Sequence, residues 1–369
     1  MKILLLGEYS NVHWSLAQGL RSLGHDVTVA SNGDFWKSYP CDISLARSGT
    51  GLLDTMQFGW KLCRTLPKLT GYDVVQLINP MFLELTADRI APIYRYLRKR
   101  NGKMFLAAFG MDHYYLKGCL ETDIFRYSEL KVDGRFRDIE DNRAAVRDWL
   151  QGSKGPLNQM IAQDCDGIIA GLWEYYESYR QFLPQKTTYI PFPVKAELPA
   201  ERFVEGIDDK IRIFIGIQKS RSEFKGTDRL VRILDRLEQE YTDRCQVVKV
   251  HNVPFAEYKK LMRSCDILID QLYSPSPNMN SLLAMSQGLC VAGGGEPEPY
   301  QLLGEDKLHP VINLPCDEEQ IYRTFREIIL SPQELQQRKE DSMKFVRKHH
   351  DPTEVARKYL DYWNQSSVM

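Results

Sequence analysis

Residues 1–30, "MKILLLGEYSNVHWSLAQGLRSLGHDVTVA", decide the fold class. Four consecutive apolar residues from Ile3 to Leu6 predict a buried strand, and Gly7 marks the turn that follows it. Between Val12 and Leu23 apolar residues recur every three or four positions, which predicts an amphipathic helix. "GHDVTVA" (24–30) then predicts a second strand. Strand, helix and strand in this order form the unit from which parallel α/β sheets are built.

The alternation of strands and helices continues through the first half of the chain. Strands are predicted at 73–78, 103–109 and 166–171, and a helix at 84–100. Each strand is an uninterrupted apolar run, which is typical of parallel strands covered on both faces. Between 111 and 163 the pattern changes to polar segments with scattered aromatic residues, longer than a crossover needs. An insertion of this kind usually carries function or covers a cleft.

A second α/β domain begins after a linker rich in Pro and charge, "PFPVKAELPAERFVEGIDDK" (191–210). Its first strand is predicted at Ile211–Ile217 and its first helix at 226–241. Further strands are predicted at 245–251, 266–272, 289–294 and 310–314. The sequence therefore predicts an α/β protein with two doubly wound domains, 1–200 and 208–347, and a terminal helix at 350–369 that joins the first.

Two such domains in series should face each other across a central cleft. Ligands of open α/β sheets bind beyond the carboxyl ends of the strands, so the strand-end loops of both domains can contribute to one site. The chain has a formal net charge of −1, with 48 Lys and Arg against 49 Asp and Glu. No overall basic field attracts nucleic acid, and an anion must be bound by a local cluster.

The eight cysteines include no CxxC pair and no metal-ligand spacing, which favours reduced core residues in a cytoplasmic protein without a metal site. No apolar run approaches the length of a signal sequence or the about 18 residues of a membrane span. The basic stretch "YRYLRKRNGK" (94–103) is a candidate for peripheral contact with anionic lipid at the cytoplasmic face of the inner membrane. Its alternative interpretation is the solvated face of a crossover helix.

The first chemical motif is "GIQKSRSEFKGTDRL" (216–230), which brings three cations to a strand end. Lys219, Arg221 and Lys225 lie in the loop before a helix, where charged hydrogen bonds to phosphate oxygens are strong. A diphosphate is the ligand that this loop would fit. The alternative is a set of solvated loop charges that are partly balanced by Glu223 and Asp228.

The second motif is "SPSPNMNSLLAMSQGLCVAGGGEPE" (274–298). A helix that begins near Asn280 leaves its first backbone amides unpaired, and such a terminus binds phosphate without side chains. The alternative is that Asn280 or Ser281 caps the helix and uses those amides. The segment "AGGGEPE" also brings Glu296 and Glu298 to the next strand end, although its glycines alone would fit a tight turn.

Two loops of the first domain supply candidate acid and base groups. "GEYSNVHWS" (7–15) offers Gly7 and Glu8 as a substrate loop and His13 near the start of the next helix. "AAFGMDHYY" (107–115) brings Asp112 and His113 to another strand end, where a carboxylate and an imidazole could meet a substrate hydroxyl. The alternatives are a capping or surface role for His13 and a turn capped by Asp112.

Three motifs of other enzyme classes do not occur in the sequence. No GxGxxG follows the first strand, and neither GxxxxGK[ST] nor GxSxG is present. Dehydrogenase, P-loop ATPase and α/β-hydrolase interpretations therefore lose their main support.

The order and spacing of these motifs resemble the glycosyltransferases of the GT-B fold, in particular the retaining family 4 enzymes, over nearly the whole chain. "LLLGEYSNVHWSLAQGLRSLGHDVTVAS" (4–31) is similar to the family's opening strand, glycine loop, helix and "GHxV" turn. "FKGTDRL" (224–230) resembles its donor loop, and "CDILIDQLYSPSPNMNSLLAMSQGLCVAGG" (265–294) its "EAMAxGxPVV" segment. "HHDPTEVARKYLDYW" (349–363) is similar to its terminal helix, which packs on the first domain.

The chain departs from the family pattern at three positions. Pro275 and Leu283 stand where the family has a pair of glutamates, and Phe109 replaces the His of "HGxD" while Asp112 remains. His113 or His13 would then substitute for that histidine. Glu296 is our candidate to replace the glutamate that holds the nucleotide ribose.

The resemblance implies a transferase that moves a sugar from a nucleotide-diphosphate sugar to a hydroxyl of a glycan or a lipid-linked acceptor. Retention of configuration and independence of any metal or cofactor are part of that expectation. It assigns donor contacts to the three loop cations and to the backbone of four helix-start residues, Asn278, Met279, Asn280 and Ser281. Alternatives within the same fold are a sugar nucleotide 2-epimerase and a binding subunit without activity.

Overall fold

The protein is described here by a computed structural model over residues 1–197 and 210–365. Its strands are β1 Lys2–Leu6, β2 Asp26–Ser31, β3 Ile43–Ser44, β4 Val74–Leu77, β5 Lys103–Ala108, β6 Lys131–Val132, β7 Arg135–Phe136, β8 Gly167–Ala170, β9 Thr187–Tyr189, β10 Ile211–Ile217, β11 Cys245–His251, β12 Ile267–Ile269, β13 Cys290–Gly293 and β14 Ile312–Asn313.

The helices alternate with the strands. They are α1 Val12–Ser22, α2 Leu52–Thr65, α3 Ala87–Arg98, α4 His113–Glu121, α5 Glu140–Val146, α6 Lys154–Asp164, α7 Trp173–Arg180, α8 Ser222–Lys225, α9 Thr227–Glu240, α10 Phe255–Arg263, α11 Met279–Ser286, α12 Pro297–Leu303, α13 Glu318–Leu330, α14 Leu335–His349 and α15 Pro352–Gln365.

The chain divides into two compact units. The first consists of Met1–Gly118, Ala145–Pro193 and Pro352–Met369, and the second of Cys119–Ala144 and Val194–Asp351. The terminal helix therefore groups with the first unit. The segment Cys119–Ala144, which the sequence interpretation left in the first domain, groups with the second unit. The predicted boundary between 200 and 208 lies outside the described residues.

The first unit is built on a seven-stranded sheet in the order β3-β2-β1-β4-β5-β8-β9, with every pair of neighbours parallel. The central strands are fully buried because helices cover both faces, which is why their sequences lack polar alternation. Helix α15 is fixed to this sheet by Trp363, which is buried and donates from its indole nitrogen to Gln76 Oε1 at 3.4 Å. Lys103 Nζ donates to the Trp363 carbonyl at 2.7 Å.

The second unit is built on a five-stranded parallel sheet in the order β11-β10-β12-β13-β14. Its core lies between this sheet and helices α9, α13 and α14, with Leu230, Leu237 and Phe325 completely buried. The antiparallel hairpin β6–β7 belongs to the segment 119–144 of this unit. The predicted α/β architecture of two doubly wound sheets is confirmed. Strands β10 and β11 have the predicted bounds, β1 is one residue longer, and the other predicted strands are one to four residues shorter.

Candidate functional site

In each sheet one pair of neighbouring strands has its connections leaving in opposite directions, and a crevice opens there at the carboxyl ends. In the first sheet this pair is β1 and β4, and in the second it is β10 and β12. The loops that follow these four strands contain most of the predicted site residues. Each unit therefore has a candidate site of its own.

The candidate site of the first unit is a cavity of 630 Å³ at the divergence of β1 and β4. The loop after β1 lines it with Gly7, Glu8 and Tyr9, and the loop after β4 lines it with the stretch from Met81 to Ala87. Gly7 has φ +89°, and a Cβ at this position would lie 2.2 Å from Ile78 Cγ2. Only glycine allows the two loops to approach in this way.

Glu8 combines a place in the cavity wall with almost complete burial, at 2 % exposure. Its Oε1 accepts from the His13 amide at 3.2 Å and its Oε2 from the Trp14 amide at 2.9 Å, so the carboxyl group sits on the start of α1. Burial raises the pKa of Glu8 to about 8, although the two amide hydrogen bonds oppose the shift. The group can change its protonation near neutral pH.

His13 is completely buried beneath the same loop. Its Nδ1 donates to the Gly7 carbonyl at 2.8 Å, while its Nε2 is buried without a hydrogen-bond partner. Burial lowers the pKa of His13 to about 4, so the ring is neutral at pH 7. His13 supports the loop that carries Gly7 and Glu8, and it is not among the cavity-lining residues.

Other polar residues of the cavity were not predicted from the sequence. Asn32 donates to Glu84 Oε1, and both side chains line the cavity. Arg47 lies over the Phe58 ring at 5.5 Å and donates to Thr55 Oγ1 at 2.8 Å, while its Nε is buried without a partner. These residues are isolated in the sequence, and no motif marks them.

Asp112 caps helix α4. Its Oδ1 accepts from the Tyr115 amide at 3.0 Å, and its Oδ2 accepts from the Tyr179 hydroxyl at 2.6 Å. The side chain is completely buried, and burial raises its pKa to about 7 in spite of these donors. The alternative that we weighed for Asp112, a turn-capping role, describes this geometry. The residue does not line the cavity.

His113 has partners at both ring nitrogens. Nδ1 donates to the Trp149 carbonyl at 3.0 Å, which leaves Nε2 to accept from Gln159 Nε2 at 2.7 Å. The amide of His113 donates to Asn158 Oδ1, and Asn158 in turn bonds the Tyr179 hydroxyl that reaches Asp112. Asp112 and His113 thus share one buried network, whereas His13 belongs to another. Their catalytic roles stay predictions.

In the second unit the segment between β10 and α9 carries the three predicted cations, and Lys225 is the last residue of the short helix α8 within it. Lys219 and Arg221 are exposed, and Arg221 lies over the Phe224 ring at 4.5 Å. Lys225 is half-buried, and its carbonyl accepts from the Leu272 amide at 2.8 Å, just after β12. Gly226 has φ +73°, and a Cβ there would lie 2.9 Å from Leu272 Cβ. The loop is therefore packed against the other strand of the crevice.

Helix α11 begins one residue earlier than predicted, and its cap is Asn278. The Asn278 side chain accepts from the Asn280 amide at 3.0 Å, so one of the first-turn amides has a partner. Asn280 Oδ1 accepts from the Tyr258 hydroxyl at 3.1 Å. The oxygen of this hydroxyl is also close to β10, since it lies only 2.5 Å from the position that a Cβ on Gly216 would take. Tyr258 thus connects the end of β10 with the start of α11.

The remaining strand-end loops converge on the same place. Ser281 Oγ donates to Asp270 Oδ2 at 2.5 Å, which fixes the first turn of α11 to the end of β12. A Cβ on Gly294, after β13, would lie 2.1 Å from the Ser274 carbonyl oxygen. Met279 is half-buried between these contacts. The structure therefore brings the Lys225 loop, the start of α11 and the glycine run together.

Glu296 has three partners of its own within the second unit. The Tyr127 hydroxyl and Asn313 Nδ2 each donate to its Oε1 at 3.0 Å, and Arg126 donates to its Oε2. Arg126 also pairs with Glu298 at 2.9 Å. A carboxylate has about four acceptor positions, so about one is left for a further donor. Glu296 as the ribose ligand remains a prediction, now with a partner set that the sequence did not reveal.

Arg137 is a third residue of the segment 119–144 that sequence reasoning missed, after Arg126 and Tyr127. Its guanidinium lies 3.5 Å from the centre of the Tyr273 ring and donates to the carbonyls of Phe224 at 3.1 Å and Glu223 at 2.7 Å. The side chain therefore holds the backbone beside Lys225. The only sequence signal was the unusual length of the insertion.

Within the described residues no group of three or more His, Cys, Asp or Glu side chains is arranged to hold a metal ion. The same ranges, 1–197 and 210–365, contain no helix long and apolar enough to cross a bilayer.

No protein-family model and no curated protein matches the chain. Among solved structures it is similar to sucrose-phosphate synthase from Thermosynechococcus elongatus, with a TM-score of 0.62, 13% identity and 99% of each chain covered. It is also similar to Anabaena HepE in complex with UDP and glucose, with a TM-score of 0.61, 12% identity and coverage of 99% and 100%.

A third similar structure is WaaG, a glycosyltransferase involved in lipopolysaccharide biosynthesis, with a TM-score of 0.56, 13% identity and coverage of 99% and 100%. At identities this low the likeness shows the fold and not the activity. The chain has the GT-B fold. The sequence prediction of that fold is confirmed.

Proposed function

We propose that this protein is a glycosyltransferase that moves a sugar from a nucleotide-diphosphate sugar to a hydroxyl group of a glycan or lipid-linked acceptor. One observation carries the proposal. At the crevice between β10 and β12, the loop with Lys219, Arg221 and Lys225 is packed against the residues after β12, and Tyr258 joins the same strand end to the start of α11. Cations and helix amides converge where such sheets bind ligands.

This arrangement fits a diphosphate leaving group. Each charged hydrogen bond from Lys or Arg to a phosphate oxygen contributes roughly 1.5–3 kcal/mol. Amides at the start of a helix add a partial positive charge. Because the diphosphate gains negative charge as the sugar bond breaks, fixed positive groups stabilise the transition state more than the ground state. Lys219, Arg221 and Lys225 would bind the diphosphate, and Asn278 to Ser281 would orient it.

The cavity of the first unit suits an acceptor hydroxyl. Its wall combines apolar side chains such as Phe58 and Leu83 with the polar groups of Glu8, Asn32 and Glu84. Mixed walls of this kind suit a sugar, which has apolar faces and hydroxyl edges. Glu8 is the group we assign to the acceptor hydroxyl, because it lines the cavity and its carboxyl pKa is raised into the neutral range.

The choice of donor follows from the comparisons. Anabaena HepE has been solved with UDP and with UDP-glucose, which makes uridine nucleotides the first donors to test here. Retention of configuration and a metal-independent reaction enter the proposal through the family resemblance, and a cytoplasmic location enters it through the cysteine pattern. The co-substrate is the nucleotide sugar, and no separate cofactor is required.

Peripheral membrane contact belongs to the proposal, but the stretch 94–103 does not supply it well. Arg98 pairs with Asp166 at 2.7 Å, and Lys103 is directed to a carbonyl of α15. Arg100 lies over the Tyr96 ring at 4.1 Å. These contacts favour the crossover-helix interpretation of the stretch, so the membrane contact is assigned to a different surface below.

The test is a binding and turnover experiment on the full chain. Calorimetry with UDP, uridine and UDP-sugars should give UDP affinity well above uridine affinity, and a matching UDP-sugar should lose its sugar to a glycan or lipid acceptor. Glu8→Gln should raise the acceptor KM by about tenfold, because it weakens one hydrogen bond to the acceptor, and it should leave UDP affinity unchanged. Isomerisation of donor alone would establish the epimerase instead, and no nucleotide binding at all would favour the inactive subunit.

A further inference from the structure

Helix α2 has apolar residues on two opposite faces. On one face Phe58 and Leu62 are buried, as in an ordinary surface helix. The other face is exposed and is also apolar. It consists of Leu52, Leu53, Met56 and Trp60, which are 80%, 74%, 66% and 65% exposed, and of the exposed Cys63.

These five exposed residues, which we call the α2 apolar face, form one stripe. At about 100° per residue, positions 52, 53, 56, 60 and 63 fall within about 100° of the helix circumference. The stripe contains no charged residue. Scattered exposed apolar side chains are ordinary, but a continuous stripe marks an interaction surface.

The charges beside the stripe are predominantly positive. From Gly51 to Thr70 the sequence has three cations, Lys61, Arg64 and Lys68, and one acid, Asp54. The Asp54 carboxylate is occupied locally, since it accepts from the Gly51 amide at 3.1 Å and the Ser48 hydroxyl at 3.2 Å. In a chain of net charge −1 this is a local positive region. It is complementary to anionic head groups.

Trp60 and Arg64 make the pair typical of an interfacial helix. The Arg64 guanidinium lies 4.3 Å from the Trp60 ring centre, so apolar ring and cation are presented together. Tryptophan is enriched at the level of lipid head groups because its ring is apolar and its N–H is polar. Helices that lie in the membrane plane combine such residues with Lys and Arg at the edge of the apolar face.

We propose that the α2 apolar face docks the protein on an anionic lipid bilayer. The helix, with 14 residues, would lie in the plane of the head groups, far short of the about 20 residues that span a membrane. Leu53, Met56 and Trp60 enter the acyl boundary. The exposed Arg64 and Lys68 face anionic head groups, whereas Lys61 Nζ donates to the Ala46 carbonyl at 3.0 Å.

The location of α2 connects docking with the acceptor. Thr55, Phe58 and Gly59 of this helix line the cavity of the first unit, and so does Phe35, which is 63% exposed. A lipid-linked acceptor held in the bilayer would therefore present its head group beside the cavity. This second step rests on the proposed function, whereas vesicle docking does not require it.

A second copy of this chain is a poorer occupant of the face. A stable protein–protein interface uses about 20–30 residues on each side, against five here. A bilayer needs no shape complementarity, and binding to it grows with apolar area and opposite charge.

The experiment is sedimentation of the full chain with vesicles, either pure phosphatidylcholine or an equal mixture with phosphatidylglycerol. We expect the anionic vesicles to bind at least about tenfold more tightly, with the difference lost at high salt. The variant Leu53→Ser/Trp60→Ser should bind about tenfold or more weakly. Leu330→Ser, which changes an apolar residue of the second unit that is 38% exposed, is the matched control and should bind like the wild type.

A second pair of measurements separates docking from folding and from activity. Both variants should keep the wild-type melting temperature and UDP affinity, because the altered side chains are exposed. Failure of the wild type to sediment with anionic vesicles at low salt would overturn the proposal. So would equal binding by all variants, or a dimer in solution that Leu53→Ser/Trp60→Ser dissolves. Vesicle binding without UDP binding would retain docking and refute the glycosyltransferase.

Discussion

The crevice of the first unit and that of the second arise from the same topological feature but differ in chemistry. In and beneath the loop after β1 the titratable groups Glu8 and His13 are buried, and burial moves their pKa values toward the uncharged forms, to about 8 for Glu8 and about 4 for His13. Between β10 and β12 the cations Lys219 and Arg221 are exposed. The fold therefore determines where a ligand can bind, and the residues after each strand determine whether that place suits a hydroxyl or a diphosphate.

Removal of two cations from the second crevice is the strongest way to test this contrast. Arg221→Ala/Lys225→Ala should weaken UDP binding by about a hundredfold or more, since each charged hydrogen bond accounts for about tenfold. Uridine, without phosphate, should bind as before. Calorimetry measures both ligands.

Lys210→Ala is the matched control, because Lys210 is exposed and precedes β10, so it lies at the opposite edge of the same sheet. Its UDP affinity should be that of the wild type. An equal loss for uridine and UDP in the double variant would show that the loop serves folding, and the contrast between the two crevices would lose its basis.

Glu296 is an acid in the second crevice, beside the three cations, so its role there can be tested separately from theirs. If it accepts the ribose hydroxyls at its remaining position, Glu296→Gln should weaken UDP binding by about ten- to a hundredfold. A 2′,3′-dideoxy analogue should bind wild type and variant alike. If the variant still discriminates ribose from dideoxyribose as the wild type does, Glu296 serves only Arg126, Tyr127 and Asn313.

The pH dependence of stability tests whether the buried Asp112 is uncharged in the folded first unit. Its folded pKa, about 7, lies above the ordinary aspartate value of 3.8, so the folded state retains the proton over this interval. The corresponding stability is complete below pH 3.8 and is lost as the pH rises through about 7. In Asp112→Asn this contribution is absent. Relative to the variant, the wild type should therefore lose up to about 1.4 kcal/mol of unfolding free energy per pH unit.

The measurement is chemical unfolding of both proteins at several pH values between about 5 and 8. Other groups such as Glu8 titrate in the same interval, but they are common to both proteins and cancel in the difference. A difference in stability that does not change with pH would mean that Asp112 stays ionised in the folded state and that its tyrosine and amide donors outweigh burial.

The fold could be predicted from the sequence because its signals are local. Apolar runs such as Ile3–Leu6 and Ile211–Ile217 identify buried parallel strands, and Gly7 identifies the turn after the first of them. The cluster of Lys219, Arg221 and Lys225 was equally visible, since its three members lie within seven residues of one another.

The partners of the site residues could not be predicted because they come from distant parts of the chain. Arg126 reaches Glu296 across 170 residues, and Arg137 reaches Phe224 across 87. Nothing in the polar segment 119–144 indicates which unit it joins. Likewise Asp112 and His113 suggested acid and base groups by their place at a strand end, but Tyr179, Trp149 and Gln159 already bond them.

The smallest expected effect concerns metal ions. Developing charge on a leaving diphosphate needs positive groups, and in the second crevice Lys219, Arg221, Lys225 and the α11 amides offer them. The acids at the neighbouring strand ends are already engaged, Asp270 by Ser281 and Glu296 by Arg126. Transfer should therefore continue in excess EDTA, with a rate changed by less than about twofold, or about 0.4 kcal/mol in the barrier.

Arg221→Ala/Lys225→Ala provides the decisive partner experiment. If Mn²⁺ or Mg²⁺ restores the UDP affinity of this variant and leaves that of the wild type unchanged, the loop cations neutralise the diphosphate as a metal ion does in metal-dependent enzymes. Complete inhibition of the wild type by EDTA, reversed by either ion, would show that the crevice binds its diphosphate through a metal and that its cations have another role.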